Sequence, residues 1–246
     1  MVSALIFAGG IGQRMKSLDI PKQFLEIEGK PIIVRTTEHF SKHPMVDNIV
    51  IVCVESWLDV LKQDIPALVK EKLPGLRPMA CANLPYYITT PILSALLEAD
   101  CFDSVTVMVQ KEVAQRIAAR PGTADYGAFS VFCQYYTEPK YLFDVPPHCF
   151  VPQPKVTSGV ITLRRRESRP WDIGDPAVFF RVVKASFAMR RKKLSNGLAS
   201  GFPELGKAGA EEVLQACGFP DNVRGETLGI PEFAAIANAI AGRRSR

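Results

Sequence analysis

The chain has 246 residues, of which 47% are apolar and 22% charged, with a net charge of +5. That length can bury a substantial core, and the balance of apolar and charged residues excludes a disordered chain. No apolar run approaches the roughly 20 residues of a membrane helix, which excludes a helical membrane span.

Val2–Phe7 is an apolar run that stops at Ala8-Gly9-Gly10, so it reads as a first strand. It lacks a basic n-region and is not expected to be a signal peptide. Pro31–Phe40 has helical spacing after Gly29-Lys30. Asn48–Val54 is apolar on both alternating faces, the pattern of a buried parallel strand. Trp57–Ile65 reads as a helix. This β-α-β-α opening predicts a parallel sheet with right-handed crossovers. Arg77–Ala82 is expected to be a strand, and Thr90–Ala99 a helix that accepts Pro91 in its first turn. Ser104–Val109 reads as a strand, and Lys111–Ala119 as a helix ended by Pro121-Gly122. Phe129–Tyr136 and Thr157–Leu163 read as strands, with a proline-punctuated segment between them. From about Ser168 the spacing turns helical, over Pro176–Met189, Lys192–Leu198, Gly209–Cys217 and Pro231–Ala241. The expected fold class is α/β, a parallel Rossmann-like sheet followed by a small all-α domain. The sequence leaves open whether the strands before and after residues 60–70 join one sheet.

Charge is unevenly spread. Residues 1–64 hold 7 Lys/Arg and 8 Asp/Glu, and the rest of the chain holds 23 and 17. The excess collects in Arg164-Arg-Arg166, Arg190-Arg-Lys-Lys193 and Arg243-Arg-Ser-Arg246. Such clusters suit a polyanionic partner, or else are solvated helix faces and a frayed tail. The six cysteines form no CxxC pair, and the expected reading is buried free thiols in a reducing cytoplasm. His39, His43 and His148 are scattered, so no metal site is expected.

The chemistry concentrates in Asn83-Leu84-Pro85-Tyr86, at the end of a short apolar strand. Ligands of open α/β sheets sit at such strand ends. An exocyclic amine on adenine is a poor nucleophile because its lone pair is delocalised into the ring. The Asn83 amide oxygen and the Leu84 carbonyl can each accept one of its N–H bonds and so orient it. Pro85 fixes the turn and holds Leu84 extended. Tyr86 offers a face for the base, worth roughly 1–3 kcal/mol. A base held this way must first leave its stack.

Further motifs accompany this turn: Met108–Arg116, Pro121-Gly122 with Tyr126–Ser130, Val145–Phe150, Pro152–Ser158, Phe187–Leu194 with Asn196, and Arg224–Leu228. On these, residues 66–246 resemble the small-subunit rRNA adenine N6-dimethyltransferases. The resemblance implies methyl transfer from S-adenosylmethionine to adenines of small-subunit rRNA within a pre-30S particle in the cytoplasm. It implies that Asn83 touches both the methyl donor and the target amine, and that Tyr86 and Phe150 sandwich the base. It also implies that Lys155 and Arg190, Arg191, Lys192 and Lys193 meet rRNA phosphates.

The N-terminal motif points elsewhere. A strand followed by Ala8-Gly9-Gly10-Ile11-Gly12-Gln13-Arg14-Met15 makes a loop whose backbone N–H groups can wrap a triphosphate. Arg14 and Lys22 supply fixed positive charge for a phosphoryl transition state. With Pro21–Leu25 and Gly29–Ile33, residues 1–64 resemble the cytidylyltransferases of methylerythritol phosphate or ribitol phosphate, which implies CTP with magnesium as an alternative ligand. The chain therefore reads as chimeric. Residues 1–64 are a nucleotide-binding fragment, 65–167 the C-terminal half of a methyltransferase catalytic domain, and 168–246 an rRNA-docking domain. A non-catalytic rRNA-binding fusion product is the remaining alternative. No membrane or obligate protein partner is expected.

Overall fold

The computed structural model describes residues 3–7, 26–44, 48–52 and 78–244. The first part of the chain forms strand β1 (Ser3–Phe7), a hairpin of β2 (Glu26–Ile27) and β3 (Lys30–Pro31), helix α1 (Ile32–Ser41) and strand β4 (Asn48–Val52). Glu28 and Gly29 both take positive φ, 51° and 70°, as a two-residue hairpin turn requires. Next come β5 (Met79–Asn83), α2 (Thr89–Glu98), β6 (Ser104–Gln110), α3 (Lys111–Ala118), α4 (Ala128–Tyr136), β7 (Thr137–Val145) and β8 (Ser158–Arg165). Helices α5 (Pro176–Ala188), α6 (Leu194–Gly201), α7 (Gly206–Ala216) and α8 (Ile230–Arg244) complete the described chain. The helix expected over Trp57–Ile65 lies outside the described residues.

Six strands form one sheet in the order β4-β1-β5-β6-β8-β7. β1 pairs in parallel with both β4 and β5, so the strands on either side of residues 53–77 share a sheet. β5 and β6 are also parallel. β8 runs antiparallel to β6, which corrects the expected all-parallel sheet to a mixed one. The cause is the connection into β8. Residues 146–157 carry only a single 3-10 turn, Pro147–Cys149, and return the chain at the end where β6 finishes, with Ser158 opposite Gln110.

Alternation along β6 and β8 builds one buried face. Val105, Val107 and Val109 of β6 and Ile161 and Leu163 of β8 are buried, and they pair as Val105↔Leu163 and Val107↔Ile161. Ile92, Leu93, Leu96 and Leu97 of α2 are buried with them, and α2 lies against β6. Each such side chain contributes roughly 1.5–3 kcal/mol when fully buried. The half-buried face of the same strands is mixed: Met108 pairs with Val160 there, and the Thr106 and Thr162 hydroxyls share a 2.9 Å hydrogen bond.

Two readings of local structure are overturned. Phe129–Tyr136, expected as a strand, is helix α4. Its four aromatic residues and Val131 favour a strand by propensity, but tertiary packing overrides this. The Ser130 hydroxyl accepts the Gly127 N–H at 3.0 Å and starts the helix, and Ser130, Val131, Cys133 and Tyr135 are buried. The proline-punctuated segment after it holds strand β7. Pro139 is tolerated there because β7 is the edge strand of the sheet. The thiols also differ from expectation. Among the five described cysteines, all free, only Cys133 is fully buried, and Cys81 and Cys149 are exposed.

The chain divides into two compact units. One gathers residues 1–111 and 140–165, the other 112–139 and 166–246. The second unit has its own core, in which Phe179, Val182, Leu198, Phe202, Phe233, Ile236 and Ile240 are all buried. Its helices carry ordinary punctuation. The Asp175 side chain accepts the Ala177 and Val178 N–H groups at 2.8 and 3.3 Å ahead of Pro176, capping α5. Gly218, at φ +78°, follows the end of α7.

Candidate functional site

Strand β5 ends at Asn83, opposite Met108 of β6. The Leu84 N–H donates to the Met108 carbonyl at 3.1 Å, so the ladder runs one residue beyond the strand. Leu84 is buried while Asn83 and Pro85 are exposed. The Pro85 carbonyl accepts the Ile88 N–H at 3.2 Å and the Thr89 hydroxyl at 3.1 Å. These bonds close the 3-10 turn Tyr86–Ile88 and lead directly into α2. A polar amide therefore projects from a turn that is fixed on both sides.

The turn is also tied across the sheet. The Tyr86 hydroxyl and the hydroxyl of Ser158 share a 2.7 Å hydrogen bond. Ser158 is fully buried and is the first residue of β8. Beside it, the Lys111 N–H donates to the Thr157 carbonyl at 3.0 Å. The Lys111 ammonium meets the Asp144 carboxylate at 2.6 Å, and the Tyr141 hydroxyl donates to the other Asp144 oxygen. The Lys111 hydrogen bond, followed by that from Tyr141, holds the Asp144 carboxyl below the usual carboxylate range. The ends of β5, β6 and β7 and the start of β8 are thus stitched together. Between β7 and β8 lie Phe150, half-buried with its N–H on the Pro147 carbonyl at 3.1 Å, and Lys155, exposed.

One end of one sheet therefore carries Asn83, Leu84, Pro85 and Tyr86 together with the loop that holds Phe150 and Lys155. β1 and β4 run parallel to β5, so the chain leaves them at this same end. Gly9, Gly10, Gly12, Arg14 and Lys22 follow β1 but lie outside the described residues. Asn83 fits a contact to a methyl donor, being polar, exposed and at a parallel strand's C-terminal end.

The four adjacent cations Arg190–Lys193 divide into two groups. Arg190 is engaged internally: its Nε donates to Glu226 at 2.8 Å, and its Nη2 to the Ala124 and Thr123 carbonyls at 2.6 and 3.2 Å. Arg191, Lys192 and Lys193 are exposed on the connection between α5 and α6.

Sequence reasoning missed Ser158 and the Lys111–Asp144 pair as parts of the site. Ser158 is 72 residues from Tyr86, and no local signal links the two. Tyr86→Phe and Ser158→Ala should each lower stability by about 1 kcal/mol. The double variant should cost little more than either single one, as read by urea unfolding. Fully additive losses would mean that the two hydroxyls do not interact.

The sequence profile of the family described as "Ribosomal RNA adenine dimethylase" matches residues 22–235. A protein named "Ribosomal RNA small subunit methyltransferase A" from Alkaliphilus oremlandii is 48% identical over 184 residues, covering 74% of this chain and 64% of that protein. Its namesake from Clostridioides difficile is 41% identical over 233 residues, covering 94% of this chain and 75% of that protein. Among solved structures, a dimethyladenosine transferase from Plasmodium falciparum superposes with a TM-score of 0.69 at 17% identity, over 99% of this chain and 90% of that one. That likeness is one of fold. The chain spans just under two thirds of the length of the Alkaliphilus relative.

Proposed function

The chain belongs to the ribosomal RNA adenine dimethylase family, and on that footing we propose that it acts in methylating the exocyclic nitrogen of adenines in small-subunit rRNA. The observation that carries the proposal is the fixed turn Asn83–Tyr86, with an exposed amide at the C-terminal end of a parallel strand. S-adenosylmethionine, when bound, supplies the methyl group. The chain's own residues do the rest. The Asn83 amide oxygen and the Leu84 carbonyl accept the two N–H bonds of the target amine and aim its lone pair. Leu84 keeps its position because its own N–H is committed to Met108. Tyr86, held by Ser158, presents a ring to the base, and Phe150 closes on the other side. Lys155, Arg191, Lys192 and Lys193 meet rRNA phosphates, with residues 168–246 as the docking part.

Family membership supports S-adenosylmethionine as the cofactor. In this chain the remaining contacts to it fall to residues after β1 and β4, outside the described part. The sequence there, Gly9-Gly10 with Gly12, Arg14 and Lys22, supports the reading of residues 1–64 as a cytidylyltransferase-like segment in a fused chain. The family match from residue 22 onward weighs against that reading. The relatives named above lend nothing to a CTP–magnesium enzyme. No described helix is long and apolar enough to cross a membrane, and the proposed place of action is the cytoplasm, on a pre-30S particle.

The test is calorimetric titration with S-adenosylhomocysteine and, separately, with CTP and magnesium, followed by methyl incorporation into undermethylated small subunits. Binding of the former and incorporation support the methyltransferase. Binding of CTP alone supports the alternative. Binding of neither, with salt-sensitive rRNA binding retained, leaves a non-catalytic rRNA-binding protein.

A further inference from the structure

Tyr86 has a neighbour with the opposite character. Tyr86 is half-buried and its hydroxyl is tied to Ser158. Tyr87, next in the same 3-10 turn, is 74% exposed. A large ring normally buries roughly 150–250 Å² of surface, and leaving it in water forgoes that gain. Here the backbone beneath the ring is fixed rather than loose. Pro85 sets the turn, the Pro85 carbonyl accepts both the Ile88 N–H and the Thr89 hydroxyl, and Thr89 is buried in the first turn of α2. The ring is therefore held out on a rigid mount, one residue from the amine-holding turn.

We propose that Tyr87 is a second stacking platform, which takes the nucleobase next to the target adenine in a single-stranded RNA segment. This rests on the function proposed above and extends it. Moving a target base out of its stack strips its neighbour of a stacking partner as well, and an aromatic face beside the site replaces that partner. Stacking of this kind tolerates any base, because every base has a π-face. Tyr87 thus contributes grip on the strand without reading sequence, whereas Asn83 and Leu84 select an amine. Two adjacent rings serve two adjacent bases. The tethered ring positions the base that reacts, and the exposed one steadies the base that does not.

The experiment uses the full chain and a fluorescently labelled single-stranded RNA with one adenine among uridines, read by anisotropy. Tyr87→Ala should weaken binding about tenfold, within the range of a single base–aromatic stack. Tyr87→Trp should bind as well as the unmodified chain or better. Replacing the nucleotide on either side of the adenine by an abasic one should, on one side, cost the unmodified chain the same factor and cost Tyr87→Ala nothing further. Equal binding by Tyr87→Ala, or a full additional loss on the abasic strand, overturns the platform while leaving the methyltransferase reading in place. Failure of the unmodified chain to bind the RNA at all overturns the platform, while the methyltransferase reading still stands or falls on methyl incorporation into small subunits. Because the side chain is exposed, the melting temperature of Tyr87→Ala should match that of the unmodified chain, so weaker binding is not mistaken for misfolding.

Discussion

Asn83→Ala is expected to abolish methyl incorporation into undermethylated small subunits, a loss of about 100- to 1,000-fold or more, with the fold unchanged. The size follows from what the side chain does. A preorganised polar group aimed at the reacting centre is worth about 10²–10³ in rate when removed, and in the function proposed above Asn83 would both orient the target amine and face the methyl donor. The fold should survive because Asn83 is exposed. Its backbone, not its side chain, maintains the pairing with Met108. Unfolding in urea should be superimposable for the two proteins. Incorporation by the variant within about tenfold of the unmodified chain would remove Asn83 from the catalytic role. Asn83→Asp is a useful companion, since it keeps an acceptor of the same shape but adds a negative charge. It should retain RNA binding better than methyl transfer.

Gly197→Val is expected to destabilise the second unit by about 3 kcal/mol, at the upper end of ordinary overpacking. A Cβ at Gly197 would stand 2.5 Å from the Ala185 carbonyl oxygen, and one at Gly201 would stand 2.4 Å from the Ala185 Cβ. The obstacle at Gly197 is backbone of α5, which cannot swing aside as a flexible side chain can. The two glycines are four residues apart on α6, so they form one smooth strip along which α5 and α6 touch. The connection between these helices carries Arg191, Lys192 and Lys193. Forcing the helices apart therefore also displaces those cations. The expected readout is a melting temperature lower by on the order of 10 °C, together with weaker rRNA binding. An unchanged melting curve would mean that α5 and α6 do not approach as described. Gly197→Ala should fall between the valine variant and the unmodified chain, since it adds the clashing atom without the branches.

Much of this architecture is written locally. The caps of α5 and the end of α7 follow from Asp175-Pro176 and Gly218, and alternation along β6 identifies its buried face without reference to any partner. Phe129–Tyr136 misleads because the same residues satisfy strand propensity and a buried helix face. Only the packing of Val131 and Tyr135 into the second core decides between them. Pro139 hides β7, because proline argues against a strand in general but not at a sheet edge. In the site, Asn83–Tyr86 is legible because its residues are consecutive. The Tyr86–Ser158 bond and the Lys111–Asp144 pair are not, because they join positions that only the sheet register brings together. Four adjacent cations, Arg190–Lys193, look alike in sequence, and only the positions of Glu226, Thr123 and Ala124 single out Arg190.

The pairing of Arg190 with Glu226 limits how steeply RNA binding can depend on salt. A guanidinium whose charge is already offset by a carboxylate, and which also donates to two carbonyls, displaces no condensed counterions from a nucleic acid. The α5–α6 connection thus has at most three side chains, Arg191, Lys192 and Lys193, with which to release ions from a phosphate backbone. Each phosphate neutralised contributes about 0.7 to the slope of log affinity against log salt for a single strand, and about 0.9 for a duplex. The share of this connection is then bounded near about 2 for a single strand and below about 3 for a duplex. Any steeper dependence must originate in other basic residues, with Lys155 the first to consider.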